Sequence, residues 1–246
     1  VFSFAAIFPA FGPFFITAAS FVVNDWFGVK TDKANKRKDR PLVSGKISKP
    51  DALKVAAFLY AFGLLLSFYA GGAAFAIALV YAALSIAYDP FLKKLPLAGN
   101  IFIASSMAVS FLYGNLAVVP RVQEYVWLFC AISFFAGVGR ELIITLRDVR
   151  GDTKIGAATL PMIIGPRATV ALSTSFFAAA LVLSWIPLFR ELNYFYLLFV
   201  LVNNALVLYV MLAASRLQTP AVLKKARNLT LAALVLGILA FASLAL

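Results

Sequence analysis

The chain has 246 residues, of which 63% are hydrophobic and only 13% charged, with 24 Phe and a mean hydropathy of +0.94. Soluble domains carry about a quarter charged residues, so the composition excludes an ordinary soluble domain and calls for a polytopic membrane protein. The net charge of +12 does not indicate nucleic acid, because apolar spans interrupt the cations, and the single Cys130 excludes an internal disulfide or a cysteine metal site.

A membrane helix needs about 20 mainly apolar residues. Eight segments answer to this, roughly 1–27, 51–70, 73–88, 97–119, 124–145, 168–188, 193–215 and 228–246. The third is short, and the Gly71-Gly72 step before it is tight enough only for a hairpin. The fold class expected is all-α: a polytopic bundle of these eight helices around a central cavity, formed by one membrane-embedded domain over 1–246. No segment has the short apolar region and small-residue cleavage site of a signal peptide.

The first apolar segment runs into the longest strongly polar stretch of the chain, NDWFGVKTDKANKRKDRPLVSGKI from Asn24 to Ile47. A second polar cluster follows the fifth segment, with Arg140, Glu141, Arg147, Asp148, Arg150 and Asp152. The remaining loops alternate in charge. Lys93 with Lys94, Arg167 and the run from Arg216 to Arg227 fall on the side of those two clusters, which collects 20 Lys and Arg against 2, Arg121 and Arg190, on the other. That bias makes the cationic side cytoplasmic. Eight of the ten acids share it, so the cytoplasmic mouth is rich in both signs.

Residues four apart on a helix lie about 40° from each other. Asn24, Gly28 and Asp32 therefore form one row, and Glu141, Asp148 and Asp152 another at offsets of seven and eleven. Two carboxylates on one face repel unless a cation joins them, and acids embedded among cations suit Mg²⁺ held between carboxylates and a polyanion such as a diphosphate. Arg37, Arg40 and Lys93 are the natural phosphate partners, the arginines for forked contacts and the lysine as a point charge. Asp25, Asp39, Asp51 and Asp89 read as solvated or salt-bridged helix-end acids, and Lys46, Lys49, Lys224 and Lys225 as topology or lipid-headgroup charges. Tyr88, Tyr113 and Trp26 are expected near the same mouth, where an aromatic face can stabilise an allylic cation or simply belong to an interfacial belt.

These residues resemble the UbiA superfamily of intramembrane prenyltransferases over essentially the whole chain. The family's first motif, N-D-x-x-D-x-x-x-D with an N-x-R-x-x-R-P tail and a Gly, is matched by Asn24-Asp25, Asp32, Asn35, Arg37, Arg40-Pro41 and Gly45. A Tyr-x-x-x-x-Lys element ending in Gly-Asn is matched by Tyr88, Lys93, Gly99 and Asn100, and the second acidic motif by Glu141 with Asp148-x-x-x-Asp152. The resemblance implies nine helices around a cavity, eight here and one ahead of Val1. It also implies Mg²⁺ as cofactor, held by Asn24, Asp32, Glu141, Asp148 and Asp152, and a diphosphate bound by Asn35, Arg37, Arg40 and Lys93. Asp32, Asp148, Asp152 and Lys93 would be catalytic, and Tyr88, Tyr113 and Asn100 would lie on the prenyl or acceptor side. The partners implied are an isoprenyl diphosphate, membrane lipid and a lipophilic acceptor, either a quinone-precursor aromatic or an archaeal-type glycerol-phosphate ether lipid.

Two positions depart from the pattern. Gly28 stands where the family has the middle carboxylate of the first motif, and Arg147 and Arg150 stand where archaeal glycerolipid-forming relatives often carry acids. A transporter of an anionic metabolite is the rival from another class. It would place charges near the bilayer midplane, whereas these gather at helix ends on one side. A CDP-alcohol phosphotransferase would need a D-G-x-x-A-R run, which the sequence lacks.

Overall fold

The computed structural model describes residues 8–9, 11–34, 37–154 and 158–244, with only the backbone for residues 31, 34, 150–152 and 154. Its regular elements are all helical: α1 (Gly12–Ala34), α2 (Pro41–Ser44), α3 (Lys49–Tyr69), α4 (Gly72–Tyr88), a 3-10 turn (Leu92–Lys94), α5 (Ala98–Leu116), α6 (Glu124–Lys154), α7 (Leu160–Ile164), α8 (Pro166–Leu183), α9 (Ile186–Arg190), α10 (Tyr194–Arg216) and α11 (Pro220–Ser243). Each of the eight apolar segments falls on one of the longer helices. Among the described residues five stretches are long and apolar enough to cross a membrane, Lys49–Tyr69, Glu124–Val149, Pro166–Arg190, Tyr194–Arg216 and Pro220–Ser243. Five of the expected eight spans meet this measure. Helix α4 is short at 17 residues, α1 carries Asn24, Asp25 and Asp32, and α5 is diluted by Asn100, Asn115 and three serines.

Two compact units divide the chain. The first holds residues 1–94 and 109–123, the second 95–108 and 124–246. In the first unit α1 packs along α3 and α4. Helix α3 buries Ala52, Ala56, Tyr60, Gly63 and Ser67 and α4 buries Ala74, Ala78, Ala82 and Ser85, each at three- or four-residue steps that keep one face inward. The large apolar side chains point the other way, with Phe21, Phe58 and Phe68 all more than 60% exposed. Small residues inside and large ones outside invert the soluble pattern. This is the arrangement expected where lipid solvates the outer face and close backbone approach holds the helices together.

Local chemistry sets the helix ends. Ser48 caps α3 by accepting from the Asp51 N–H at 3.2 Å, and Asn193 caps α10 by accepting from the Tyr196 N–H at 2.9 Å. Between α3 and α4 the chain reverses through Gly71 at φ +102°, a conformation that favours glycine, so the predicted hairpin is present.

In the second unit α6 packs on α8 and α11, and α10 on α11. Its core joins Ile143 and Leu146 of α6 to Val170 and Phe177 of α8, Val207 and Val210 of α10, and Leu223 and Ala226 of α11. At 31 residues, α6 is roughly 45 Å long, so Asp148 falls at the end of its apolar stretch and Asp152 beyond it.

The α1 and α3 backbones meet at Gly12 and Gly63. A Cβ on Gly63 would lie 2.8 Å from the Gly12 carbonyl oxygen and 3.1 Å from the Ile16 backbone nitrogen, whereas one on Gly237 in α11 would meet nothing within 4 Å. Gly63→Ala is expected to destabilise the protein by roughly 1–3 kcal/mol, read as a lower unfolding temperature in detergent. Gly237→Ala should stay within about 1 kcal/mol of the parent chain. Equal stability of the two variants would mean that the crossing tolerates a wider separation.

Candidate active site

In the first unit α1 continues unbroken through Gly28 to Ala34, so Asn24, Gly28 and Asp32 do share one face. A Cβ on Gly28 would sit 3.5 Å from Asp32 Oδ2, an ordinary contact, and Gly28 does not end the helix. Beyond it the Arg37 N–H donates to the Asp32 carbonyl at 2.9 Å, closing the C-terminal end of α1 with a bond that spans five residues.

Three carboxylates near this end are closed on cations. Arg40 Nη1 donates to Asp25 Oδ1 at 2.7 Å, while Arg40 Nε is buried with no partner among the described residues. Arg37 grips Asp39 through Nε at 3.2 Å and Nη2 at 2.9 Å, and that hydrogen-bonded guanidinium holds the exposed Asp39 carboxyl below the usual carboxylate range. Asp89, immediately after α4, is buried; its Oδ1 accepts from Asn24 Nδ2 at 2.8 Å and from Lys93 Nζ at 3.3 Å. Tyr88 is the last residue of α4 and is half-buried. Trp26 packs edge-on against Phe27, and the Lys49 ammonium lies 4.6 Å from the centroid of its ring. Asn35 lies outside the described residues.

Tyr113 is placed differently from expectation. Its hydroxyl donates to the Pro9 carbonyl at 2.8 Å and lies 3.0 Å from Ser67 Oγ, beside the start of α1 and the end of α3. Asn24 is about 20 Å further along α1, so Tyr113 belongs to the opposite end of this unit. Its expected place near the mouth is corrected: α5 starts beside the Lys93 turn, and Tyr113 lies ten residues and more up that helix.

In the second unit Glu141 and Asp148 stand seven positions apart on α6, as expected. Glu141, 6% exposed, accepts from Arg140 Nη1 at 2.7 Å. The Arg140 Nε is buried with no partner among the described residues. Arg147 holds Asp148 with two parallel bonds, from Nε and Nη2, both 2.6 Å. Asn100 Nδ2 donates to Thr145 Oγ1 at 2.7 Å, and that hydroxyl donates to the Glu141 carbonyl at 2.9 Å, which fixes the start of α5 against α6. The Asp152 side chain lies outside the described residues, although its backbone is within α6.

No group of three or more His, Cys, Asp or Glu among the described residues could hold a metal ion alone. The acids and amides on both rows offer hard oxygen atoms. This suits Mg²⁺, which keeps several waters and takes one or two carboxylates together with substrate phosphates. Sequence reasoning read Asp89 as a solvated or salt-bridged helix-end acid, without its contact to Asn24, and gave Arg140 no role in binding. The four-residue step from Asp89 to Lys93 was a usable signal for the first. For Arg140 there was none, since adjacent helix residues do not ordinarily face each other.

Three comparisons bear on these geometries. A sequence model described as the UbiA prenyltransferase family matches residues 1–234. The digeranylgeranylglyceryl phosphate synthase of Archaeoglobus fulgidus is 34% identical over 231 residues, covering 92% of this chain and 79% of the relative. A solved structure of a digeranylgeranylglyceryl phosphate synthase in membranes superposes with a TM-score of 0.80 at 28% identity, covering 98% of this chain and 85% of that one. A UbiA homologue from Archaeoglobus fulgidus bound to DMAPP and Mg²⁺ has the same fold, with a TM-score of 0.73 at 18% identity over 98% of this chain and 88% of that one.

Proposed function

The chain belongs to the UbiA prenyltransferase family, and from that premise we propose that its acceptor is an archaeal-type glycerol-phosphate ether lipid. As a member it is a membrane prenyltransferase, moving a polyprenyl group from an isoprenyl diphosphate to a lipophilic acceptor. The observation that carries the choice of acceptor is the 34% identity to a digeranylgeranylglyceryl phosphate synthase across 92% of the chain. Arg147 and Arg150 alone point away from that branch. Two positions weigh less than similarity along the whole sequence, and Arg147 is committed to Asp148. Family membership also sets aside the transporter reading.

We assign Asp32 with Asn24 in the first unit, and Asp148, Asp152 and Glu141 in the second, as the groups that would hold Mg²⁺. Bound there, Mg²⁺ would neutralise charge on the diphosphate as it leaves. Lys93, Arg37 and Arg40 take up the same charge from the chain's own side, with Asn35 as a neutral donor. Arg40 has a buried Nε to offer beyond its bond to Asp25. In the reaction the carbon to oxygen bond of the prenyl diphosphate breaks, the diphosphate leaves with the electron pair, and an acceptor hydroxyl closes a new carbon to oxygen bond and loses its proton. Cations fixed in place before the bond breaks supply the rate enhancement. Tyr88 and Asn100 remain assigned to the prenyl or acceptor side, residues 1–246 to one catalytic domain, and the charged helix ends to the cytoplasmic face.

Offered geranylgeranyl diphosphate and a mixed panel of acceptors, the purified protein is expected to prenylate the glycerol-phosphate ether, identified by mass spectrometry of the products. Prenylation of an aromatic acceptor alone would move it to the quinone-forming branch. Asp148→Asn and Asp152→Asn are each expected to weaken Mg²⁺-dependent binding of geranyl diphosphate by about tenfold or more in a folded protein. Calorimetric titration giving the parent affinity for both would remove the second row from the site. Because Gly28 has room beside Asp32, Gly28→Asp should restore a missing ligand and lower the Mg²⁺ concentration needed for that binding, while Gly28→Ala leaves it unchanged. Equal weakening by both substitutions would show that the backbone, and not a ligand, is what position 28 supplies.

A further inference from the structure

We propose that Asp89 is a positioning residue, which fixes the Asn24 amide so that its carbonyl oxygen is kept for a cation. This rests on the reading of Asn24 as a member of the Mg²⁺-holding row. Asp89 is an expensive residue where it stands. Its side chain is 5% exposed, and it follows the C-terminal end of α4, where the helix dipole disfavours a negative charge. Two groups offset that cost, and both reach the same atom, Oδ1: Asn24 Nδ2 from α1 at 2.8 Å and Lys93 Nζ from the following turn at 3.3 Å.

The chemistry of the pair decides which way the amide faces. A carboxylate held against an ammonium only accepts hydrogen bonds, and of the two ends of an amide only the nitrogen donates. Asn24 must therefore present nitrogen to Asp89 and turn its oxygen away. Among the described residues nothing donates to that oxygen. A carbonyl oxygen held in this way by a partner behind it is how proteins usually fix the orientation of a metal ligand. The same carboxylate limits the swing of Lys93, so one buried acid sets the aim of a cation-binding oxygen and of a phosphate-binding ammonium.

The test exchanges the two residues. Asp89→Asn, Asn24→Asp and the double variant Asn24→Asp with Asp89→Asn are compared in the full chain in detergent, with the Mg²⁺ concentration at half-maximal geranyl diphosphate binding measured by calorimetry beside the unfolding temperature. Asp89→Asn removes the acceptor that discriminates the two amide ends, and is expected to raise the half-maximal Mg²⁺ concentration about tenfold. Asn24→Asp alone sets two carboxylates against each other and is expected to raise it as well. In the double variant the amide now at position 89 can donate to the carboxylate now at position 24, the hydrogen bond is restored in reverse, and the value should return to that of the parent chain or below it. Recovery of this kind is not expected of a residue that only stabilises the fold. The proposal is overturned if Asp89→Asn keeps the parent Mg²⁺ dependence, if Asn24→Asp alone tightens binding as much as the double variant does, or if the double variant folds and stays impaired. A parent chain whose geranyl diphosphate binding does not depend on Mg²⁺ would overturn the metal reading itself, a result distinct from each of these.

Discussion

The cost of holding a carboxylate at the edge of a low-dielectric layer governs the charged ends of this molecule. An unpaired ion there loses several kcal/mol of hydration. Asp25 is closed on Arg40, Asp89 on Lys93, Glu141 on Arg140 and Asp148 on Arg147. The other features serve these pairs. Helices α1 and α6 are long enough to carry acids beyond their apolar turns, and α3 and α4 are lined with alanine, glycine and serine so that α1 can lie close. The phenylalanines displaced from the interior are left to face lipid.

Buried polar groups fall into two kinds, those that complete a hydrogen bond and those that do not. Tyr60 with Ser85, Ser173 with the Gly139 carbonyl, and Tyr196 with the Ser184 carbonyl each complete a hydrogen bond between neighbouring elements. In the second unit Asn204 Nδ2 adds a bond to Ser184 Oγ at 3.1 Å, at the step where α8 gives way to α9. Such groups are satisfied and have nothing left to offer. Four buried side-chain atoms have no partner among the described residues, Nε of Arg40 and of Arg140, Trp26 Nε1 and Thr159 Oγ1, a state that is costly in a finished framework and that an anion would relieve at the two guanidiniums.

Hydropathy located every long helix, because about 20 apolar residues leave few other solutions. The row from Asn24 through Gly28 to Asp32 was legible for the same reason: once the segment is helical, its spacing fixes a shared face. Pairing across the chain was not legible. Asn24 and Asp89 are 65 positions apart, and no local rule joins them. Tyr113 was misplaced although the alternation of the spans already sent the second half of α5 away from the mouth; its aromatic type was weighed above its position. Arg140 reaches Glu141 because a long guanidinium arm can curl back along the helix surface, which the angular separation of adjacent residues does not reveal.

The closed ion pairs also bear on the order in which a metal and a diphosphate could arrive. A cation that claims Asp148 has to draw it from Arg147, and the freed guanidinium then loses its hydrogen-bonded counter-charge. A diphosphate arriving alone leaves the mirror problem, an acid stripped of its cation. Metal and diphosphate together exchange partners with a pair and leave its charge almost unchanged. On the assignment proposed above, each ligand would therefore raise the affinity for the other, and by thermodynamic reciprocity the factor would be the same in both directions. On the same assignment, such a surface would discriminate against free metal and against metal-free diphosphate, because its own salt links act as the competitor that either must displace.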